Sequence, residues 1–331
     1  MASLLATSQP VLAEALRVWQ RGGSCGLATV VATHGSAPRG PGAMLLVHED
    51  GSVVGSISGG CVEGALYESA LEALSTGVAR IENYGPDGDI LAPGLTCGGS
   101  LSVLVERVNH VSFPHLSIIV DELTAGRTCA LHTTSPETGS THTVVGHDSD
   151  HTRLTPDGSI VRVFVPAPRM VIVGSTDFAA EMSLLGARMG YRVTVCDARP
   201  LFVTATRLPH AHDLVCEWPS DYVARERDGA RLDGRCVIIV LTHDPKIDVP
   251  VLVEGLDETR WPTPPFYVGA MGSKTADSRR RGELRDAGLG ADRLARLHSP
   301  IGLPIGSAGP AETAVSIAAE LIRLRADSAA G

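Results

Sequence analysis

The sequence contains few aromatic residues and no hydrophobic run long enough to cross a membrane. Phe, Trp and Tyr make up only 4% of the 331 residues. The longest uninterrupted aliphatic run is Val237–Leu241, whereas a membrane-spanning helix needs about 20 apolar residues. The first ten residues include no Lys or Arg, so they lack the basic start of a secretory signal. We therefore expect no membrane partner and no secretion.

The seven cysteines are widely spaced, odd in number and never arranged as Cys-x-x-Cys. This pattern argues against a zinc finger and against a disulfide framework. It favours a reducing cytoplasm as the location of the protein. Cys129, Cys196, Cys216 and Cys236 lie in apolar segments and are interpreted as buried packing residues, while Cys25 is given no role.

Positive charge is also scarce, because 28 Lys and Arg face 37 Asp and Glu, for a net charge of −9. Such a balance argues against a nucleic-acid partner. A hydrophobic content of 44% excludes a disordered chain. At roughly 150 residues per domain, the length predicts two domains.

The order of predicted elements differs between the two halves of the chain. In the second half, short apolar strands alternate with helices, which predicts an α/β, Rossmann-like parallel sheet with helices on both faces. The first half predicts a mixed α+β domain. Pro166-Ala167-Pro168 marks the boundary, so the predicted domains are residues 1–166 and 167–331. The predicted elements include Arg80–Tyr84, Leu116–Thr124, Ile160–Phe164, Met170–Val173, Val193–Cys196, Cys236–Leu241 and Phe266–Val268, and the pattern is weaker between residues 112 and 165.

The second half carries an incomplete dinucleotide-binding fingerprint. Gly174 ends a predicted strand, and Asp197 follows the next strand at the place where such folds hold an acid for a ribose hydroxyl. However, Thr176 stands where the second glycine belongs, and Asp177 would repel a pyrophosphate at the helix start. We therefore expect a Rossmann fold with weak NAD(H) binding. The alternative for Asp197 is a solvated acid at a strand end.

Further polar loops follow the other predicted strands of this half. His243 and Asp244 come after one strand, and residues 269–273 come after the next. Ligands of open α/β sheets bind beyond the carboxyl ends of strands, and backbone N–H groups at a helix start can hold a phosphate. Ordinary helix capping is the alternative. Arg279-Arg280-Arg281 is interpreted as a solvated helix face.

In the first half, two cysteines lie among glycines. Cys61 follows Gly59-Gly60 at a predicted helix start, where a thiolate is favoured, and Glu63 is expected to cap the helix or accept a proton. Cys97 precedes Gly98-Gly99 at the end of the long loop 85–100. Both sulfurs are candidates to bind a soft metal or to take part in sulfur chemistry, although they are too few for zinc. Inert packing is the alternative for Cys61.

Two other polar segments of the first half each allow two interpretations. Residues 34–42, with Ser36 and Arg39, are expected to wrap an anion, the alternative being a structural turn. His142, His147 and His151 are interpreted as part of a solvated loop rather than as metal ligands, because their spacing fits no defined site.

Several motifs occur together in a specific order. They are residues 35–39, 55–63 and 97–99 in the first half, and 242–244, 269–273, 300–306 and 310–318 in the second. In this arrangement the chain resembles the xanthine dehydrogenase accessory-protein family, the XdhC/CoxI-like proteins. Residues 174–179 depart from the resemblance, because relatives are often richer in glycine there.

The resemblance implies an accessory protein that binds sulfurated molybdenum cofactor (molybdopterin) and delivers it to the apo-enzyme of a molybdenum hydroxylase, such as xanthine or carbon monoxide dehydrogenase. It favours a non-enzymatic insertion chaperone, with a cysteine desulfurase as a further candidate partner. A homodimer is expected because symmetric dimers are the commonest oligomers. The cofactor-binding residues predicted from motifs and resemblance are Ser36, Arg39, Gly59, Gly60, Cys61, Glu63, Cys97, Gly98, Gly99, Gly174, Asp197, His243, Asp244, Gly269, Gly272 and Ser273.

Two other functions stay open at this point. The first is an NAD(P)-linked oxidoreductase that uses the C-terminal half, which Asp197 favours and Thr176 disfavours. The second is an interaction scaffold that binds only the hydroxylase or a sulfurase. No catalytic residue is assigned.

Overall fold

A computed structural model describes residues 2–85, 98–134, 141–145 and 151–330. The chain divides into two compact units, Met1–Ala167 and Pro168–Gly331, which we call the N-terminal and C-terminal units. The division falls inside the Pro166-Ala167-Pro168 segment. Within the described ranges, no helix is both long enough and apolar enough to span a bilayer.

The N-terminal unit contains two antiparallel sheets and three helices over its described residues. Its helices are α1 (Ala2–Gln20), α2 (Glu63–Thr76) and α3 (Leu116–Thr124), and its strands are β1 (Cys25–His34), β2 (Met44–His48), β3 (Val53–Gly55), β4 (Arg80–Tyr84), β5 (Ser100–Val108), β6 (Cys129–Thr134), β7 (Thr141–Val145), β8 (Arg153–Leu154) and β9 (Ile160–Phe164). The larger sheet has the order β3-β2-β1-β5-β4, and the smaller one β7-β6-β9-β8.

Strand β1 lies at the centre of the larger sheet and is buried on both faces. On one face, Ala28 and Val30 pack with Leu66 and Ala70 of α2. On the other face, Leu27 belongs to a cluster with residues of α1 and α3. Burial on both faces explains why the segment reads as a continuous apolar run rather than an alternating one.

The loops that carry the predicted motifs of the first half leave one end of this sheet. His34 at the end of β1 is paired with Ser100 at the start of β5, and Tyr84 at the end of β4 is paired with Leu101. Strand β3 ends at Gly55 beside Leu45, near the start of β2. The segments 35–43, 56–62 and 98–99 therefore emerge at the same sheet end.

The C-terminal unit is built around six parallel strands. The strands are β10 (Arg169–Val173), β11 (Arg192–Cys196), β12 (Asp213–Val215), β13 (Val237–Val240), β14 (Tyr267–Ala270) and β15 (Leu297–His298), and the helices are α4 (Asp177–Arg188), α5 (Pro219–Asp228), α6 (Pro245–Leu256), α7 (Lys274–Asp286), α8 (Ala291–Ala295) and α9 (Pro310–Ala330), with a 3₁₀ turn at Glu258–Arg260. The order β12-β11-β10-β13-β14-β15 is that of a dinucleotide-binding fold.

Helices cover both faces of the parallel sheet. Along β10, Val171 and Val173 face the cluster that includes α5, α6 and α7, whereas Met170 and Ile172 face the cluster that includes α4 and α9. This alternation is the two-residue period of a strand buried on both sides. The predicted Rossmann-like architecture is confirmed.

The predicted burial of the cysteines holds at three of four positions. Cys129, Cys196 and Cys236 are buried, but Cys216 is exposed. The prediction for Cys216 is wrong because the edge strand β12 ends at Val215, so that Cys216 lies outside the apolar segment assumed for it.

Candidate functional site

A single carboxylate organises the loop between β3 and α2. Glu63 accepts hydrogen bonds from the backbone N–H groups of Ser58, Gly59 and Gly60 at 2.8, 2.8 and 2.7 Å. The hydroxyl of Ser56 donates at 2.9 Å, and the hydroxyl of Ser58 also donates to this carboxylate. The loop is therefore wrapped around the side chain of the first residue of α2.

These hydrogen bonds change the protonation of Glu63. Burial by itself would raise the pKa of this carboxyl, but the hydrogen bonds from Ser58, Ser56 and Gly60 outweigh it and hold the pKa far below its usual range. A carboxylate stabilised in this way is a poor proton acceptor. The lowered pKa disfavours Glu63 as a proton acceptor, and its contact with a cofactor stays a prediction.

The two glycines of this loop lie in conformations that L side chains rarely adopt. Gly59 and Gly60 have φ values of +78° and +127°, and a Cβ added to either would meet no atom within 4 Å. Glycine is thus required by backbone geometry rather than by crowding. Their outer side is open, and the adjacent Cys61 is partly exposed.

A second loop contact brings Ser36 beside Gly98-Gly99. A Cβ on Gly99 would collide with the carbonyl oxygen of Ser36 and lie 2.7 Å from that of His34. Only glycine allows the two backbones to approach so closely. Ser36 and Gly98 are exposed at this contact, and Arg39 is half-buried on the same loop as Ser36.

The structure therefore gathers most of the N-terminal candidates at one sheet end. Ala37 and Cys61 pack against the same core cluster, which contains Ile57, Tyr84 and Leu101. Cys97, like His147, lies outside the described residues. In the part of the chain that the structure describes, no group of three or more His, Cys, Asp and Glu side chains is arranged to hold a metal ion.

In the C-terminal unit, a cleft of about 700 Å³ opens at the carboxyl ends of β10 and β13. The predicted residues His243 and Asp244 line it and are exposed. It also contains three side chains that the sequence did not single out, Arg199, Phe202 and Arg207. The full lining is Ser175, Thr176, Asp177, Phe178, Arg199, Phe202, Arg207, Leu241, Thr242, His243, Asp244, Pro245, Ile247, Met271 and Pro310.

Asp197 lies below this cleft with both carboxylate oxygens occupied. It is 1% exposed and accepts hydrogen bonds from the N–H of Ser175 at 2.8 Å and from the guanidinium of Arg199 at 2.9 and 2.8 Å. Burial would raise the pKa of Asp197, but Arg199 and Ser175 lower it overall. The solvated-acid interpretation is wrong. The carboxylate also offers no free oxygen to a ribose, so the residues do not fit the adenosine half of NAD.

The turn after β10 likewise serves the fold. Gly174 has a φ of +101°, and a Cβ there would collide with the side chain of Thr242. Thr176 caps α4 by accepting a hydrogen bond from the N–H of Ala179 at 3.2 Å, and Asp177 is 86% exposed in the first turn. A pyrophosphate would meet a negative charge at this helix start.

The predicted phosphate loop 269–273 is only partly a loop. Gly269 lies inside β14 and is buried, and a Cβ there would lie 2.5 Å from the ring of Tyr267. Its placement in a loop is therefore wrong. Ser273 caps α7 through the N–H of Ala276 at 3.2 Å, and Gly272 precedes it with a φ of +156°. Asp244 caps α6 in the same manner.

Arg280 contradicts the interpretation of residues 279–281 as a solvated face. Its guanidinium is buried and donates to the carbonyl of Met271 at 2.8 Å, to Ser299 at 3.1 Å and to Asp248 at 3.3 Å. Asp248 also accepts a hydrogen bond from Thr242. One cation thus joins helix α6 to the loops that follow β14 and β15. Burial raises the pKa of Asp248 in spite of these partners.

His142 is likewise not part of a solvated loop. It is buried in β7, where its ring lies 3.0 Å from the hydroxyl of Thr133 and 3.5 Å from Glu106. Arg162 pairs with the same Glu106. This cluster links residues of the two antiparallel sheets.

Two family models match the chain in the order of these two units. The model described as the XdhC and CoxI family matches residues 18–85, and the model described as the XdhC Rossmann domain matches residues 170–321. The chain belongs to the XdhC and CoxI family.

Curated relatives span nearly the whole chain. A probable xanthine dehydrogenase subunit from Bacillus subtilis is 26% identical over 328 residues, which cover 90% of this chain and 92% of that protein. The molybdenum cofactor insertion chaperone PaoD of Escherichia coli is 27% identical over 318 residues, or 95% and 88% of the two chains. A crystal structure of a xanthine dehydrogenase from Bacillus halodurans covers 97% of this chain at a TM-score of 0.76 and 24% identity, which shows a shared fold.

The protein thus has candidate residues in each unit, but only some of these residues contact one another. Gly59, Gly60 and Cys61 share one loop, Glu63 at the start of α2 accepts hydrogen bonds from that loop, and Ser36 lies beside Gly99. Arg199 was not predicted from the sequence, although it follows Asp197 by two residues. An Asp-x-Arg at the end of the second Rossmann strand was the signal that would have found it.

Proposed function

We propose that this protein binds molybdenum cofactor and delivers its sulfurated form to the apo-enzyme of a molybdenum hydroxylase. The observation that carries the proposal is the gathering of Ser36, Cys61 and Gly98 at one sheet end. The relative PaoD, which carries the name of a molybdenum cofactor insertion chaperone, supports the same function.

The residues at this sheet end suit an anionic pterin as cargo. A phosphate is bound well by arginine, and Arg39 lies on the loop of Ser36, whereas the N–H groups of Gly59 and Gly60 already donate to Glu63. Gly59 and Gly60 have open space where side chains would otherwise stand. Because Ser36, Gly59 and Gly60 are exposed, the site also suits a cargo that must leave again.

Cys61 is the residue that we assign to the metal end of the cargo. Thiolates are soft ligands that suit a molybdenum centre bearing sulfur. Cys61 is partly exposed, whereas Cys25 and Cys236 are buried, and burial raises the pKa of both of those thiols. Cys97 precedes Gly98 in the chain and is proposed as a second sulfur contact.

The decisive experiment is anaerobic incubation of the full-length protein with molybdenum cofactor, followed by gel filtration with quantification of molybdenum and pterin. We expect both to elute with the wild type, and Cys61→Ser to lower retained molybdenum several-fold. Cys216→Ser is the matched control, because Cys216 is also exposed but lies in the C-terminal unit. Equal retention and equal delivery to an apo-hydroxylase by all three proteins would remove Cys61 from the function.

A further inference from the structure

We propose that the cleft of the C-terminal unit binds a phosphate monoester carried on a small ring-bearing ligand, with Arg199 and Arg207 as the phosphate contacts. This is a second binding site, and it stands independently of the cargo site proposed in the N-terminal unit. This Rossmann unit does not fit NAD, the ligand that such folds ordinarily bind, because both oxygens of Asp197 are already occupied.

The cleft occupies the usual ligand position of the fold. It lies at the carboxyl ends of β10 and β13, which are adjacent in the sheet and between which the strand order reverses. Its volume of about 700 Å³ is that of a small-molecule site. Residues just past β11 are those that meet the adenosine ribose in a dinucleotide-binding fold.

In the segment just past β11, Arg199 is the exposed residue and Asp197 is buried. Nε and Nη2 of Arg199 donate to the two oxygens of Asp197, a bidentate pair that fixes the guanidinium plane. Among the described residues, Nη1 of Arg199 has no hydrogen-bond partner. Its side chain is 51% exposed, whereas that of Asp197 is fully buried. A ligand therefore meets the cation and not the carboxylate.

A second guanidinium lies on the same aromatic ring. Arg199 and Arg207 stand 5.0 and 5.6 Å from the ring centre of Phe202, a cation–π geometry that holds both on one wall of the cleft. Among the residues that the structure describes, Arg207 is otherwise paired only with Asp177, at 3.5 Å and with both side chains exposed. Such a surface ion pair costs little to open. Arg207 is thus free to turn towards an anion.

The pair of arginines selects a phosphate over a sugar diol. Arginine binds phosphate oxygens through its planar fork, and in Rossmann folds an arginine at this place accommodates a phosphate on the ribose. Asp177 and Asp244 also line the cleft. Because these carboxylates repel negative charge, the cleft does not bind every anion. The exposed charge of Asp177 at the start of α4 disfavours a bridging pyrophosphate. A phosphate monoester near Phe202 would contact both arginines without placing a pyrophosphate beside Asp177.

Calorimetry on the full-length protein tests this with one matched pair of ligands, adenosine 2′-monophosphate and adenosine. We expect the phosphorylated member to bind at least about ten-fold more tightly, as charge-assisted hydrogen bonds imply. Arg207→Gln should remove most of that preference. Arg279→Gln is the control, because Arg279 is an exposed arginine outside the cleft.

A phosphorylated pterin offers the same chemistry, so molybdopterin forms the second arm. Retention of molybdopterin that falls with Arg207→Gln, without any 2′-phosphate preference, would support the site and identify the pterin as its ligand. Arg199→Gln is tested in the same way as Arg207→Gln. If thermal melting shows that Arg199→Gln does not fold, Arg199→Lys replaces it. If neither arm depends on Arg207 or Arg199 in folded proteins, the proposal is overturned. Because Cys61→Ser leaves this cleft intact, failure here and failure of the cargo site are distinguishable.

Discussion

The backbone nitrogen of Gly60 lies 2.7 Å from the carboxylate of Glu63, three residues ahead of it in the chain. With the donors of Ser56, Ser58 and Gly59, it forms a shell that is closed by one side chain. Glu63 thereby sets the shape of the loop that presents Cys61. The carboxylate acts on the candidate site through the backbone.

The first prediction follows from that shell. Glu63→Ala leaves several loop donors without their acceptor, which should lower the free energy of unfolding by about 1–3 kcal/mol. Urea denaturation measures this loss. Glu68→Ala, an exposed position on the same helix, is the control and should change little. If both variants lose equally, the shell contributes nothing beyond helix propensity.

The second prediction concerns pH. Because the pKa of Glu63 is held below its ordinary value of 4.5 in the folded state, its stabilisation is fully present above that value and is lost as the pH falls from it towards the lowered pKa. The stability difference between wild type and Glu63→Gln should therefore stay constant from pH 7 down to about pH 5 and shrink as the pH falls below 4.5. Urea midpoints at several pH values measure it. A difference that stays constant below pH 4.5 contradicts the assigned protonation.

The third prediction compares two neighbouring glycines. A Cβ on Gly99 would collide with the backbone of Ser36, whereas a Cβ on Gly98 would meet no atom within 4 Å. Gly98→Ala should cost only about 1–2 kcal/mol for its left-handed backbone, and Gly99→Ala should cost more because backbone must move. Chemical denaturation distinguishes them. The reverse order would mean that the Ser36 loop yields easily.

The fourth prediction tests the buried pair of Arg280 and Asp248. Arg280→Met leaves Asp248 as an unpaired buried carboxylate, which should cost about 3–5 kcal/mol. Adding Asp248→Leu should restore much of the loss, because the uncompensated charge is gone. Arg279→Met is the exposed control. Thermal melting of the wild type, Arg280→Met, Asp248→Leu and the double variant completes the cycle, and additive losses would show that the pair is not coupled.

Local sequence pattern determined much of the fold. The bounds predicted for Arg80–Tyr84, Leu116–Thr124 and Ile160–Phe164 are those observed. The alternation of apolar strands and helices was sufficient for the parallel sheet, since hydrophobic period is a property of neighbouring residues. The order of the Gly-rich motifs was sufficient for the family, which the matching models confirm.

The short edge strands β12 and β15 were not predicted from the sequence. Each contains only two or three residues, too few to show a period. Their strand conformation depends on pairing with β11 and β14, which are neighbours in space but distant in the chain.

Tertiary structure alone decided which polar residues face a ligand. Asp197 and Arg199 stand two residues apart in the sequence, yet one is buried and the other half exposed. Arg280 is buried although its neighbour Arg279 is 65% exposed, because Asp248 and the carbonyl of Met271 meet it from elsewhere in the chain. The type of a residue sets what it can bind, but the groups that surround it after folding decide whether its hydrogen bonds are left for a ligand.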